Sequence, residues 1–189
     1  MKKAYTLLEI VLAIGLTVVM SGSAIAAYVK YNRSQMVNSA YQEIMNVFRE
    51  ARTNAMTGKM DCNQCDCDGS GAHPAFNGWM VYIDCSKKHT NGNNNVGYEI
   101  EGECQGPPGS PPMFGYRSKY FSKIDIRIND FGPVNLAQCN ANNNNNVRYL
   151  SGGTGVSFAT GTSLVIKLRS QFDNSIIKTI NVDSSGVVH

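Results

Sequence analysis

The chain has 189 residues and a formal net charge of +3, from 17 lysine and arginine residues against 14 aspartate and glutamate residues. This length suits one globular domain with an appendage and leaves little room for two domains with separate cores. The near balance of charge excludes a polycation whose binding to nucleic acid is dominated by phosphate contacts.

The N-terminal segment, MKKAYTLLEIVLAIGLTVVM, is apolar after its two lysines. Residues 10–29 form a run of 20 without a charge, and a helix of that length rises about 30 Å, the thickness of the hydrocarbon core of a bilayer. The run exceeds the roughly 7 to 15 apolar residues of a cleaved secretory signal. We therefore predict a retained membrane-spanning helix, with conventional signal cleavage at the small residues 24–27 as the alternative.

The helical pattern continues beyond the apolar run. Apolar residues recur at spacings of three and four, which is typical of one face of an amphipathic helix. These residues are Val37, Tyr41, Ile44, Phe48, Ala51 and Ala55. Gly58 is expected to stop the helix. The prediction is a single helix from Tyr5 to Thr57, in which residues 5–29 span the membrane and residues 30–57 form the amphipathic continuation.

Residues 58–189, called the head below, change to short β-rich runs separated by Gly, Asn and Pro clusters. Strands are predicted at Gly78–Asp84, Lys123–Asn129, Gly155–Ala159, Ser163–Ser170 and Ile176–Asp183. QFDNS is predicted as the hairpin turn between the last two strands, and loops are predicted at His89–Asn95, Gly106–Pro112 and Asn140–Asn146. The fold class is therefore predicted as α+β, a long N-terminal helix packed on an antiparallel, sandwich-like head.

Charge in the head is unevenly distributed along the chain. Residues 57–116 carry 3 basic and 7 acidic residues, whereas residues 117–189 carry 8 basic and 4 acidic residues. The second half is the only part of the head whose charge favours an anionic partner such as DNA.

All six cysteines follow the apolar run, at Cys62, Cys65, Cys67, Cys85, Cys104 and Cys139. An even number in an exported head predicts disulfides, although six cysteines allow 15 pairings. The crowding of the first three suggests that they pair outward with the last three. A zinc site completed by Cys85 or His73 is the alternative for the C-x-x-C pair, and calcium is the alternative for Asp61, Asp66 and Asp68.

Catalytic chemistry has little support in the sequence. His73, His89 and His189 fall in loop-like or terminal positions, and the sequence contains no nucleophile elbow of the G-x-S-x-G kind. Trp79 is expected in the core of the head. We therefore predict no enzyme activity, no catalytic residue, no cofactor and no bound metal.

The leader MKKA followed by YTLLEIVLAIGL resembles the class III signal of type IV pilins and type II secretion pseudopilins. The resemblance implies that a prepilin peptidase cleaves between Ala4 and Tyr5 and that the new amino terminus is methylated. Glu9 would then be the fifth residue of the mature chain, the position of the glutamate that is characteristic of the family.

A carboxylate inside a membrane helix costs roughly 2.5 to 3.5 kcal/mol at the helix centre, so its presence calls for a partner. In a filament of staggered helices that partner is the α-amine of Tyr5 in a neighbouring subunit, and the pair sets the axial register between subunits. The alternative is an ordinary membrane anchor whose Glu9 lies near the lipid headgroups.

Three further stretches, FREARTNAMTGKM, GWMVYID and INVDSSGVVH, look like the GspH/FimT family of minor pseudopilins and pilins. That resemblance implies a long helix packed on a β-sandwich head. Two departures stand out. Ala26 occupies the place where many relatives have a proline, and SGVVH replaces the basic GRxR-like tail of DNA-binding relatives.

Taken together, the resemblance implies a structural subunit of a type IV pilus or type II secretion pseudopilus. Its partners would be other such subunits, the prepilin peptidase and the bacterial inner membrane, with the head in the periplasm or outside the cell. The second interpretation is a binding module at a pilus tip that takes up DNA or adheres to a surface through the basic residues 117–189.

Overall fold

The structure is a computed structural model that describes residues 6–67, 69–71, 73–88, 94–105, 113–128, 146–153, 155–158 and 162–189. Several predictions concern residues outside these ranges. They are the processing residues Ala4 and Tyr5, the cysteine Cys139, Asp68 and His89, and most of the three predicted loops.

A single helix, α1, spans Leu7–Met56, 50 residues, in close agreement with the predicted range. It begins at the N-cap Thr6, whose hydroxyl oxygen accepts a hydrogen bond from the backbone N–H of Glu9 at 3.3 Å. It ends where Gly58 adopts a left-handed φ of 64°, a conformation that glycine adopts without a steric penalty and that is common at helix C-termini. The predicted stop at Gly58 is confirmed.

The predicted stripe of α1 faces the core of the head. Val37, Ile44, Phe48 and Ala51 are at most 1% exposed, and Tyr41 is partly buried against the same core. Met45 and Val47 are buried as well, so the apolar face is wider than the predicted stripe. This width lets one helix contact both sheets of the head.

The described residues of the head form eight strands in two antiparallel sheets. They are β1 (Phe76–Lys88), β2 (Asn94–Cys104), β3 (Met113–Phe121), β4 (Ile124–Ile128), β5 (Asn146–Leu150), β6 (Val156–Phe158), β7 (Leu164–Ser170) and β8 (Ile177–Val182). The first sheet has the order β3-β2-β1-β5-β6 and the second has the order β4-β7-β8. Helix α1 contacts β1, β2 and β5 of the first sheet and β7 and β8 of the second. The predicted α+β class is confirmed.

All five predicted strands are present, as β1, β4, β6, β7 and β8. The predicted turn QFDNS joins β7 to β8, and Asp173 fixes it by accepting hydrogen bonds from the N–H and the hydroxyl of Ser175, at 2.9 and 2.6 Å. Strands β2, β3 and β5 were not predicted. Each of them pairs with β1 or with a neighbour of β1, so the larger sheet is wider than the sequence indicated.

Glycine at two positions lets neighbouring strands approach each other. The ring of Phe114 on β3 lies over Gly102 of β2 so closely that a Cβ at residue 102 would overlap it. Gly115 has a φ of 63°, and a Cβ there would lie 3.0 Å from Trp79 Cη2. These two glycines allow Phe114 and Trp79 to meet edge to face, with ring centroids 5.5 Å apart. The predicted core position of Trp79 is confirmed, because it is 4% exposed.

Candidate functional site: the uncovered half of the helix

The apolar side chains in the N-terminal half of α1 are exposed. An 18-residue window in this helix has a mean hydropathy of 2.2, and none of that window is buried. The exposed apolar residues include Leu7, Leu8, Ile10, Val11, Leu12, Ile14, Leu16, Val18, Val19, Met20 and Ile25. A contiguous apolar surface of this kind marks a membrane or protein contact. By length and composition, this helix is able to span a membrane.

Two hydroxyl groups of this half, those of Thr17 and Ser21, are satisfied within the helix. Thr17 Oγ1 donates to the carbonyl oxygen of Ile14 at 2.8 Å, and Ser21 Oγ donates to the carbonyl oxygen of Thr17 at 2.7 Å. In a hydrocarbon layer, an unpaired polar group costs several kcal/mol. Thr17 and Ser21 therefore add little to the cost of placing this segment in lipid.

Glu9 is the third residue of α1, directly after the N-cap Thr6 and two leucines. The spacing Thr-x-x-Glu is that of a capping box, in which the N-cap hydroxyl accepts from the N–H of the third helical residue. The partial positive charge of the helix N-terminus also favours a carboxylate there. Sequence reasoning missed this local role, although the T-L-L-E spacing indicated it. The predicted partner, Tyr5, lies outside the described residues, so the pairing between subunits stays a prediction.

At the opposite end of α1, two disulfides hold the segment between the helix and β1. Cys65 pairs with Cys104 of β2, with Cα atoms 5.4 Å apart, as expected for outward pairing. Cys62 pairs with Cys67, with Cα atoms 5.3 Å apart. The expectation that Cys62 and Cys67 both pair outward was therefore wrong.

The local pairing has a physical cause in a tight turn. The N–H of Cys65 donates to the carbonyl oxygen of Asp61 at 2.8 Å. This turn reverses the chain and brings Cys62 and Cys67 within the distance that a disulfide requires. Of the other two cysteines, Cys85 lies in β1 and Cys139 lies outside the described residues.

The zinc alternative loses its cysteine ligands in this structure. The sulfurs of Cys62, Cys65 and Cys67 are in disulfides, so they provide no thiolates for zinc. The carboxylate of Asp66 accepts from the N–H groups of Gly69 and Gly71 at 2.9 and 2.8 Å, and it thereby organises its own loop. Within the described residues, no group of three or more His, Cys, Asp or Glu side chains is placed to hold a metal ion.

Comparison with known proteins gives no family. No protein-family model, no curated protein and no solved structure matches this chain. The function is therefore inferred from the residues and the geometry of the chain itself.

Four cations of the basic part of the head are paired with carboxylates. Arg117 and Lys119 of β3 lie 2.6 Å from Glu50 and Glu43 of the helix. The other two pairs are Arg148 with Glu103, at 2.7 Å, and Arg169 with Asp125, at 2.6 Å. These pairs use much of the positive charge to join elements of the head, which leaves less of it for a polyanionic partner.

Proposed function

We propose that this chain is a membrane-anchored filament subunit of the pilin or pseudopilin kind, assembled through its N-terminal helix. One observation carries the proposal: α1 buries one face of its second half in the head and leaves its apolar first half uncovered. A subunit built in this way needs an apolar environment for residues 7–29. The bilayer provides that environment before assembly, and the packed helices of neighbouring subunits provide it afterwards.

The proposal assigns each part of the chain a role. Cleavage by a prepilin peptidase between Ala4 and Tyr5 frees an α-amine, and Glu9 of a neighbouring subunit supplies the matching carboxylate. The subunit waits in the bacterial inner membrane with its head on the outer side. The two disulfides support this orientation, because structural disulfides persist in the oxidising periplasm and not in the cytosol.

The capping role of Glu9 and its pairing between subunits are separable by mutation. Glu9→Gln removes the charge but retains a side chain that suits the third position of a capping box. Thr6→Ala removes the N-cap hydroxyl and retains the charge, and Glu9→Leu removes the carboxylate but retains the backbone N–H that bonds to Thr6. The measurement is the amount of each variant in the sedimented filament fraction, relative to the amount of mature subunit in the membrane.

If the charge of Glu9 pairs with a neighbouring amine, Glu9→Gln and Glu9→Leu are lost from filaments and Thr6→Ala is retained. If Glu9 serves only the helix terminus, Glu9→Gln assembles normally, whereas Thr6→Ala is impaired. Intact mass spectrometry of the membrane fraction is the control for processing. A mature chain that begins at methylated Tyr5 supports the proposal, whereas a chain that begins at Met1 contradicts it.

A DNA-binding or adhesive module at a filament tip remains the second interpretation from the sequence. The ion pairs of Arg117, Lys119, Arg148 and Arg169 weigh against a DNA-binding face, because each cation already has a carboxylate within 2.7 Å. Binding that depends on phosphate contacts would appear as a DNA complex that weakens steeply with salt.

A further inference from the structure

The head touches the helix close to the point where the apolar run ends. The apolar run ends at Val29, and four residues later the guanidinium carbon of Arg33 lies 5.4 Å from the ring centroid of Phe172. Arg33 Nη1 also donates to the carbonyl oxygen of Phe172 at 3.4 Å. Phe172 belongs to the turn between β7 and β8, residues 171–176, which is called the hairpin tip below.

The spacing along the helix gives the height of this contact above the hydrocarbon layer. Four residues of an α-helix rise about 6 Å. The headgroup region on each side of a bilayer is about 5 to 8 Å thick, since a core of about 30 Å widens to about 40 to 45 Å with both headgroup layers. With Val29 at the edge of the hydrocarbon, Arg33 and the hairpin tip lie at headgroup level.

The side chains at this level have the chemistry of a membrane interface. Phe172 is 56% exposed even though it contacts Arg33, and Ile177 at the start of β8 is 52% exposed. Tyr28 and Tyr31 are 68% and 62% exposed, and they lie about 140° and 160° around the helix axis from Arg33. Aromatic side chains therefore lie on both sides of α1 within about 8 Å along its axis, as in the aromatic belts of membrane proteins.

Positive charge predominates at the same end of the head. Hydrogen bonds from Ser175, and then the nearby positive charges of Lys30 and Arg33, keep the pKa of the Asp173 carboxyl below its usual range. The hairpin tip is also joined to the turn before β4, because the N–H of Gln171 donates to the carbonyl oxygen of Lys123 at 3.1 Å. Lys30, Arg33 and Lys123 outnumber Asp173, so this end of the head favours anionic headgroups.

We propose that the hairpin tip is a membrane-docking element: Phe172 inserts into the headgroup layer of an anionic bilayer beside α1 and seats the head at a fixed height. The inference rests on the proposed function, since it needs residues 7–29 to span the membrane. The contact of Arg33 with Phe172 holds the hairpin tip against the helix. The head and the membrane-spanning residues 7–29 therefore meet the headgroup layer as one unit.

The test measures the depth of an introduced tryptophan in the full chain, reconstituted in vesicles of phosphatidylethanolamine and phosphatidylglycerol. Phe172→Trp is compared with the wild type, whose single tryptophan, Trp79, is buried in the head. Lipids that carry bromine near the headgroup report shallow insertion, and acrylamide reports exposure to water. The matched control is Met113→Trp, because Met113 is 51% exposed on β3 and pairs with Glu103, beside the disulfide end of the head. Leu12→Trp reports on the span, through lipids that carry bromine deep in the acyl chains.

We expect the fluorescence of the tryptophan introduced by Phe172→Trp to be shifted to the blue. Lipids with bromine near the headgroup should quench this fluorescence, and acrylamide should not. Met113→Trp should respond to acrylamide alone, and Arg33→Gln added to Phe172→Trp should reduce the quenching by bromine. If Leu12→Trp is quenched by deep bromine while Phe172→Trp responds only to acrylamide, the docking inference fails and the membrane anchor stands. If Leu12→Trp is not quenched either, both proposals fail. Protection from acrylamide without bromine quenching would indicate coverage by a second subunit and would overturn docking to lipid.

Discussion

The hydroxyl of Tyr98 on β2 donates a hydrogen bond to Glu43 Oε1 on α1 at 2.9 Å. The other carboxylate oxygen of Glu43 lies 2.6 Å from Lys119 Nζ of β3. One helical carboxylate thus joins two strands of the larger sheet to the helix. Since the apolar first half of the same helix is exposed, such contacts determine how the head is held relative to that apolar segment.

Alkaline pH should destabilise the head through Tyr98. Burial, and then the hydrogen bond to Glu43, raises the pKa of Tyr98 to about 12, whereas an unfolded tyrosine ionises near pH 10. The stabilising contribution is therefore complete below about pH 10 and is lost as pH rises to about 12. Tyr98→Phe should be less stable than wild type near neutral pH and should lose less stability over this window.

The measurement is denaturant unfolding of the full chain in detergent, followed by the fluorescence of Trp79. Tyr116→Phe is the matched control, because it changes a tyrosine on β3 that is 57% exposed and should retain the wild-type pH dependence. Equal loss of stability in Tyr98→Phe and wild type between about pH 10 and pH 12 would contradict the assignment to Tyr98.

Phe48→Ala and Leu12→Ala should differ strongly in their effect on the stability of the head, because the two residues lie in different halves of α1. The side chain of Phe48 is fully buried, so Phe48→Ala should cost about 3 to 5 kcal/mol of unfolding free energy. Leu12→Ala removes an apolar side chain that is 60% exposed on the same helix and should change head stability by less than about 0.5 kcal/mol. Both are measured by denaturant unfolding. Comparable losses in the two variants would mean that the first half of α1 packs on the head.

Helix α1 could be predicted from the sequence because its signals are local. A charge-free run, a spacing of three and four residues and a stopping glycine are all read within a few turns of helix. Strand β2 had a local signal that was not used: Val96, Tyr98 and Ile100 alternate, and all three are at most 5% exposed.

Strand β3 offered no such signal. Phe114 and Phe121 are both buried, but they are seven positions apart, and a regular strand would place them on opposite faces. A register shift between β2 and β3 at Ile100 and Gly102 allows both phenylalanines to be buried despite this spacing. This irregularity depends on the partner strand. The ion pairs between α1 and β3 likewise join residues 67 and 76 positions apart, so a local pattern does not specify them.

The two disulfides should differ in their contribution to stability. In the chain-entropy model, a bond that closes a longer loop stabilises more. The separation is 39 residues for Cys65 and Cys104 and 5 residues for Cys62 and Cys67, which corresponds to about 4 and about 2 kcal/mol. The double variants Cys65→Ala with Cys104→Ala and Cys62→Ala with Cys67→Ala are compared by denaturant unfolding. Peptide mapping without reduction checks the pairing, and a peptide that links Cys62 to a cysteine other than Cys67 would contradict the structure.

The ion pairs of the head should differ in strength according to burial. The Glu103 side chain is 7% exposed beside Arg148, whereas the side chains of Lys119 and Glu43 are 53% and 25% exposed. Arg148→Ala leaves a buried carboxylate without its cation and should cost about 3 kcal/mol, whereas Lys119→Ala should cost about 0.2 to 1 kcal/mol. Thermal unfolding of both variants shows which of them loses more stability. A smaller loss for Arg148→Ala than for Lys119→Ala would mean that Glu103 gains solvent or another partner.

Glu101 should destabilise the head at neutral pH, unlike its neighbour Glu103. Burial, followed by the charges of Glu99 and Glu103, raises the pKa of Glu101, and a hydrogen bond with Tyr82 partly offsets this. Because the folded pKa lies above the unfolded value, the contribution of Glu101 becomes more favourable as pH falls through the folded pKa and less favourable as pH rises. Glu101→Gln should therefore be more stable than wild type near pH 7, and its advantage should shrink as acid protonates the wild-type carboxyl.

The matched control is Glu103→Gln, on the same strand and face. Its carboxylate is paired with Arg148, so the same change of charge should lower stability near pH 7 instead of raising it. Chemical denaturation of wild type and both variants near pH 7 and near pH 5 gives the sign of each stability difference and its change with pH. The prediction is wrong if Glu101→Gln is less stable than wild type near pH 7, or if its advantage does not shrink in acid. Either result would mean that burial and the charges of Glu99 and Glu103 do not make the ionised form of Glu101 unfavourable.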